Sequence, residues 1–323
     1  MLFRDKKVKR LTQHLNCLGL NAVRVLNMKR ITNMKQSYSE RYGQVGYFSI
    51  LNDQRMKFTR ICRIYLISVG FFFTVNCLNA QESAEELAKK LANPISSLIS
   101  LPFQNNTDYG IGDNNGTRNT MNIQPVIPMN ISKDLNLIAR WVQPWVTQYN
   151  ITGMGQKQNG LADAVVSAFL SPSKSKNGFT WGAGPVFLVP VATQELLASK
   201  QLGVGPTAVA LKQFNGWTMG ALVNQIWGLA GGEGRADVNQ MFIQPFFAYN
   251  WKSGAGLGGN FEYTQNWTSN SSTVWFNPTI SGITSLGKQK TQLVIGPRFN
   301  LAAPKGAKAD WGWRAAVVFL FPK

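Results

Sequence analysis

From Pro94 to the end of the chain, apolar and polar residues exchange sides at every second position, in runs of about ten residues set between turn-forming residues. Met241, Ile243, Pro245, Phe247 and Tyr249 share one side of a run, with Gln240 and Gln244 on the other. Leu293, Ile295, Pro297, Phe299 and Leu301 oppose Gln292, Gly296, Arg298 and Asn300. Leu257, Phe261 and Tyr263 alternate with Asn260, Glu262 and Thr264. Trp311, Trp313, Ala315, Val317, Phe319 and Phe321 form the apolar side of the last run, facing Gly312 and Arg314. A side chain every second residue on one face is the geometry of a strand, and helices cannot satisfy it.

Twelve such runs are legible, near 97–110, 118–129, 134–148, 161–171, 178–191, 202–213, 216–230, 237–250, 255–267, 272–284, 288–301 and 309–322. The separators are turn-rich: Asp113-Asn114-Asn115-Gly116, Ser171-Pro172-Ser173, Asn215-Gly216, Lys252-Ser253-Gly254 and Ser269-Asn270-Ser271. A soluble β-sandwich would need charged outer faces. Here charged residues are only 15% of the chain, and the polar faces carry Gln, Asn, Thr, Ser and Gly. Trp141, Trp145, Trp217, Trp227, Trp267 and Trp311 fall near run ends, where a membrane barrel carries its aromatic girdles. The pattern therefore predicts an all-β fold, a closed antiparallel transmembrane barrel of about twelve strands.

One feature strains that reading. Pro125, Pro144, Pro185, Pro206, Pro245, Pro278 and Pro297 lie inside the runs, although proline removes a ladder donor and a closed barrel has no edge to hold it. Their expected place is one rim of the barrel, beside bulges.

The first eighty residues are of a different kind. They hold 14 Lys+Arg against 3 acids, so they carry most of the net charge of +18, together with Cys17, Cys62, Cys77 and His14. Residues 56–80 read as a secretory signal: Lys57 and Arg60 head an apolar stretch too short to span a membrane, and cleavage is expected after Ala80. Residues 1–55, upstream of a complete signal, read as a mis-annotated extension from a wrong start codon, so their basic clusters do not indicate nucleic-acid binding. Residues 81–93 form a short helical pattern with Ala84, Leu87, Ala88 and Leu91 on one face, either a periplasmic extension or a plug, the extension being preferred. The barrel is assigned to 94–323.

Beyond Ala80 the chain has no Cys and no His. Disulfides, Cys/His metal sites and His-dependent triads are thereby excluded from the exported part. No catalytic, cofactor or metal-binding residue is assigned. Glu262 and Asp163 are isolated acids, expected to meet water or a wall arginine such as Arg298 or Arg314 rather than to act as a catalytic pair. Gly231-Gly232-Glu233-Gly234 lacks the Lys-Ser/Thr of a phosphate loop and reads as a connection between strands.

Several stretches carry a resemblance. Gly205 to Lys212, Gly216 to Trp227, Asp237 to Asn250 and the opening Asn93 to Gln104 resemble a bacterial outer-membrane family whose members are often labelled "transporter", sometimes "neuromedin U". They are similar to the barrels associated with meta-cleavage phenol-degradation operons. The resemblance spans roughly residues 81 to 323 and brings no catalytic or ligand residue with it. It implies a Gram-negative outer-membrane channel for passive passage of small solutes, hydrophobic or aromatic ones included, with a non-transporting structural barrel or a membrane enzyme as the competing reading. The expected partners are membrane lipid, the solute, and the barrel-assembly machinery through the C-terminal strand; oligomeric state is left open. The candidate lumen-facing residues are Gln240, Gln244, Asn260, Glu262, Arg298 and Arg314, on a wall of Gln, Asn, Thr, Arg and Gly.

Overall fold

A computed structural model describes residues 81–321 apart from Glu233; the extension expected at 1–55 and the signal expected at 56–80 lie outside the described residues. One helix, α1 (Gln81–Leu91), precedes fourteen strand segments: β1 (Ile99–Ile111), β2 (Gly116–Ile123), β3 (Val126–Asn130), β4 (Leu135–Tyr149), β5 (Lys157–Leu161), β6 (Ala164–Pro172), β7 (Phe179–Val189), β8 (Gln201–Phe214), β9 (Trp217–Gly231), β10 (Asn239–Asn250), β11 (Ala255–Asn266), β12 (Ser271–Leu286), β13 (Gln289–Ala302) and β14 (Trp311–Phe321). β2 and β3 form one barrel strand interrupted at Gln124-Pro125, and both keep a single register on β4. β5 and β6 form another, with a one-residue shift against β4 between Trp145↔Leu161 and Val142↔Val165. The wall thus has twelve antiparallel strands, and β14 returns to pair with β1 from Ile99↔Phe321 to Tyr109↔Trp311. The closed barrel that the alternation predicts is the observed fold.

Connections are short at one end and longer at the other. At the turn end, for example, Asn215 (φ 46°) and Gly216 (φ 82°) join β8 to β9 as a two-residue hairpin, which needs left-handed backbone at both positions. The loop end holds the longest excursion, residues 190–200, between β7 and β8. Its anchor is a bulge. Asp163, in the break between β5 and β6 that takes up the one extra residue, accepts hydrogen bonds from Ala192 N, Ser199 N and Ser199 Oγ at 3.1, 2.6 and 2.6 Å. Further along the same loop, a hydrogen bond from Lys200, ahead of one from Arg235, holds the Glu195 carboxyl below the usual carboxylate range.

The outward face is apolar and exposed. Ile280 and Ile295 face each other across β12 and β13 and are 61% and 54% exposed, which water would not tolerate along a continuous band but lipid does. Trp145, Trp227, Trp267 and Trp311 lie toward the loop end, and Trp217 clusters with Tyr249 and Trp251 at the turn end. Trp141 departs from the girdle expectation: it sits in the middle of β4, opposite Val166. Ile295→Arg is expected to cost about 2–4 kcal/mol, the range for a cation at the bilayer midplane. The check is the urea midpoint of the barrel refolded into lipid vesicles, with an unchanged midpoint counting against the assigned face.

The prolines are not at a rim. Pro185, Pro206, Pro245, Pro278 and Pro297 all lie inside strands, and Pro185↔Pro206 pair directly across β7 and β8. In an antiparallel ladder each residue turns both its N–H and its C=O toward one neighbour, so a proline costs a rung on one side only. The ladders accordingly skip the proline positions in β6–β7, β8–β9, β10–β11 and β12–β13, and continue through them on the opposite sides. Gly-Pro pairs explain where the orphaned carbonyl goes. A Cβ on Gly184, Gly205 or Gly296 would overlap the carbonyl oxygen of Ala168, Gln225 or Pro278, each being the group that the following proline cannot bond. The oxygen packs instead against the glycine α-carbon, a weak C–H···O contact that only glycine leaves room for. Pro144 alone among these sites stands by a bulge, the one between β5 and β6.

Candidate functional site: a lumen in two halves

The concave side of the wall changes character along the barrel axis. Toward the loop end, side chains from non-adjacent strands reach one another, which is possible only across the interior. Arg298 on β13 donates from Nε to Asp108 of β1 at 2.8 Å and from Nη1 to Asn277 of β12 at 3.0 Å. Its Nη1 also stands 3.7 Å from Glu262 of β11, and its guanidinium lies 4.3 Å from the centre of the Trp275 ring. Arg314 on β14 donates to Asn106 and to Glu262, both at 2.8 Å. The side chains of Arg298 and Asp108 are only 5% and 8% exposed, so this is a buried network rather than a solvated wall. Each arginine uses its fork on two or more acceptors, a geometry that lysine could not reproduce.

Two further arginines enter the same half without a carboxylate in contact. Arg118 donates to Gln148 at 2.9 Å, which itself bonds Gln158, and Arg140 donates to Gln124 at 2.9 Å. The half therefore sets four arginines against two carboxylates, a surplus of positive charge lined by amides.

From the middle of the barrel toward the turn end, apolar clusters enter the interior. Ile138, Phe169, Val209, Leu211 and Leu222 form a buried cluster with Phe242 and Phe246 against it, and Ile95, from the segment after α1, inserts into the same cluster. A second cluster joins Leu87 of α1 and Leu98 to Val318 and Leu320 of β14, with Leu91 and Ile283 packed on it. The helix backbone is tied to the wall by a hydrogen bond from Gln213 Nε2 to the Lys89 carbonyl, 2.8 Å. Along its exposed side, Lys90 pairs with Glu86 at 2.7 Å.

Of the residues singled out from sequence, Glu262, Arg298 and Arg314 come together, and Asn260 joins them by accepting from Asn277 at 2.8 Å. Gln240 and Gln244 do not: Gln244 shares its face of β10 with Phe242 and Phe246, which pack on the apolar cluster. Beside the expected wall of Gln, Asn, Thr, Arg and Gly, the lumen therefore carries an apolar lining that the alternation did not announce. Ile95, Leu98 and the inward Phe169, Leu211, Phe242 and Phe246 were not predicted. The available signal was the two-sided apolar run, such as Val317-Val318-Phe319-Leu320-Phe321, which reads as a strand covered on both faces.

No family model matches the chain, and no curated protein matches it. Among solved structures, the COG4313 outer membrane channel from Pseudomonas putida F1 aligns over 69% of this chain and 94% of its own, with 16% identity and a TM-score of 0.55. The β domain of the Bordetella autotransporter BrkA aligns over 70% and 100%, with 11% identity and a TM-score of 0.44. A Pseudomonas aeruginosa FadL homologue aligns over 69% and 89%, with 9% identity and a TM-score of 0.35. The first of these likenesses agrees with the closed wall, apolar band and tryptophan girdles in giving one fold: a β-barrel of the Gram-negative outer membrane.

Proposed function

We propose that the protein is an outer-membrane channel through which small solutes pass by diffusion, without chemistry. The observation that carries this is the seal. A barrel of twelve strands is wider than one its own side chains fill, and we read α1 with the segment through Leu98, which packs on inward residues of the wall, as the plug rather than the periplasmic extension. At eleven residues the helix would be marginal alone. Its seat consists of two leucines, small alanines and one hydrogen bond to the wall, which is a few kcal/mol at about 1.5–3 kcal/mol per fully buried leucine. A plug held that weakly opens at thermal cost, whereas a purely structural barrel has no use for one. The surplus of arginine in the loop-side half favours anions and neutral solutes over cations at that mouth. Aromatic solutes suit the apolar half. The Glu262 carboxylate is engaged by two arginines rather than free for acid–base work, which speaks against the enzyme reading. Strand β14, whose last described residue Phe321 points outward, is the segment we assign to the assembly machinery.

The test is conductance in planar bilayers. Full-length mature protein is expected to conduct weakly and with flickering, and removal of residues 81–93 is expected to raise unitary conductance severalfold. If neither form conducts or speeds solute flux into liposomes, the channel reading is wrong.

A further inference from the structure

We propose that the barrel holds a binding station for a small organic carboxylate with an apolar body, at Arg140, where the polar and apolar linings of the lumen meet. This deepens the channel reading and rests on it for the station's role, though not for its existence. Arg140 lies on the inward face of β4, two residues from Ile138, which is fully enclosed in the apolar cluster. Its cross-strand neighbours on that face are Val126 of β3, which packs on the same cluster, and Ser167 of β6. Gln124, at the break between β2 and β3, reaches the guanidinium and is itself buried.

Two features define the ligand. The first is charge. A cation beside apolar side chains is costly unless an anion pairs with it. The interior carboxylates Asp108 and Glu262 are held by Arg298 and Arg314. Among the described residues, Arg140 has one hydrogen bond, from Nη2 to the neutral Gln124 Oε1 at 2.9 Å. The second feature is a surplus of donors. Because Gln124 accepts through Oε1, its Nε2 is left to donate. That nitrogen, Arg140 Nε and Nη1, and the Ser167 hydroxyl have no partner among the described residues, yet none is sealed in: the one enclosed side-chain polar atom without a partner there is Asn250 Nδ2, at the turn end. Carried on inward side chains, these donors face the lumen. A carboxylate at that point accepts from Arg140, with Gln124 and Ser167 at its flanks, and supplies the missing counter-charge. Its apolar body lies over Val126 and the cluster beneath.

Cyclohexanecarboxylate serves as the probe, with acetate as the same head without the body and cyclohexylammonium as the same body with the opposite charge. Each is titrated into the mature protein in nanodiscs and followed by saturation-transfer NMR against empty nanodiscs. Saturable cyclohexanecarboxylate binding is expected, about tenfold or more tighter than either control, since one lacks the buried ring and the other the charge-assisted bond. Arg140→Gln should weaken it by about tenfold or more, the loss of a hydrogen bond to a charged group. Gln124→Glu should abolish it in a barrel that still gives a heat-modifiable band on SDS gels, because it supplies from the wall the carboxylate that the ligand would bring. The inference is overturned if cyclohexanecarboxylate does not saturate, if either control binds as tightly, or if either folded variant binds as the parent does. A Gln124→Glu chain that fails to fold overturns it too, by showing that no carboxylate fits against Arg140; should Arg140→Gln fail to fold, Gln124→Glu decides. Bilayer conductance of the same preparation separates the two proposals: a conducting barrel without binding removes only the station, and binding without conductance removes only the channel.

Discussion

Arg298→Ala is expected to destabilise the barrel by about 3–5 kcal/mol, the range for breaking a buried ion pair by removing one partner. The loss exceeds that of a contact because Asp108 would be left nearly enclosed without its cation, Asn277 without a donor, and the Trp275 face bare. Arg298→Lys should fall between, since an ammonium cannot serve Asp108 and Asn277 at once while lying over the ring. Urea titration of refolding into vesicles reads the series. An alanine variant within ~0.5 kcal/mol of the parent would show that the side chain is solvated and that the wall there tolerates substitution as a wet lumen does.

The second large effect is expected at the Gly-Pro pairs. Gly184→Ala, Gly205→Ala and Gly296→Ala each place a methyl where a neighbouring carbonyl oxygen already sits, and backbone on both sides cannot rotate out of the way as a side chain could. Overpacking of that kind costs about 1–3 kcal/mol per site, so the triple variant should not yield a heat-modifiable band on SDS gels at all. Gly282→Ala is the control. It lies within β12 with open space where its Cβ would go, and should stay within ~0.5 kcal/mol of the parent. Equal behaviour of Gly282→Ala and Gly205→Ala would refute the account of how the wall accommodates its prolines.

Why the wall was legible and its contents only partly so has a physical reason. A strand's two faces are written into alternate residues, so Ile295 and Arg298 could be assigned to opposite sides from parity alone. Twelve strands followed from counting turns, and the interruption at Ala162-Asp163 altered only where one strand begins. Partnership across the interior is another matter. Asp108 and Arg298 are 190 residues apart, and nothing local in either run says that β1 and β13 flank the same strand. Glu262 could be expected to meet a wall arginine because few charges are available, yet which arginine depends on barrel curvature. The prolines were visible and misplaced, because rim and interior differ only in which neighbour each N–H would have faced. The apolar half was overlooked where polar alternation lapses: Ala221-Leu222-Val223 and Phe246-Phe247 are apolar on both sides, one for lipid and one for the helix and Ile95.

Strand β14 has two duties that fix the order of events in folding. It closes the wall against β1, and through Val318 and Leu320 it provides part of the seat for Leu87 of α1 and for Leu98, just ahead of β1. The first of the described segments to be made therefore cannot reach its final position until the last of them has arrived. Contacts separated by more than two hundred residues carry the full loop-closure delay, so ring closure and sealing should be a single slow kinetic phase rather than two. A nascent barrel then receives its plug in the same step in which it becomes a cylinder.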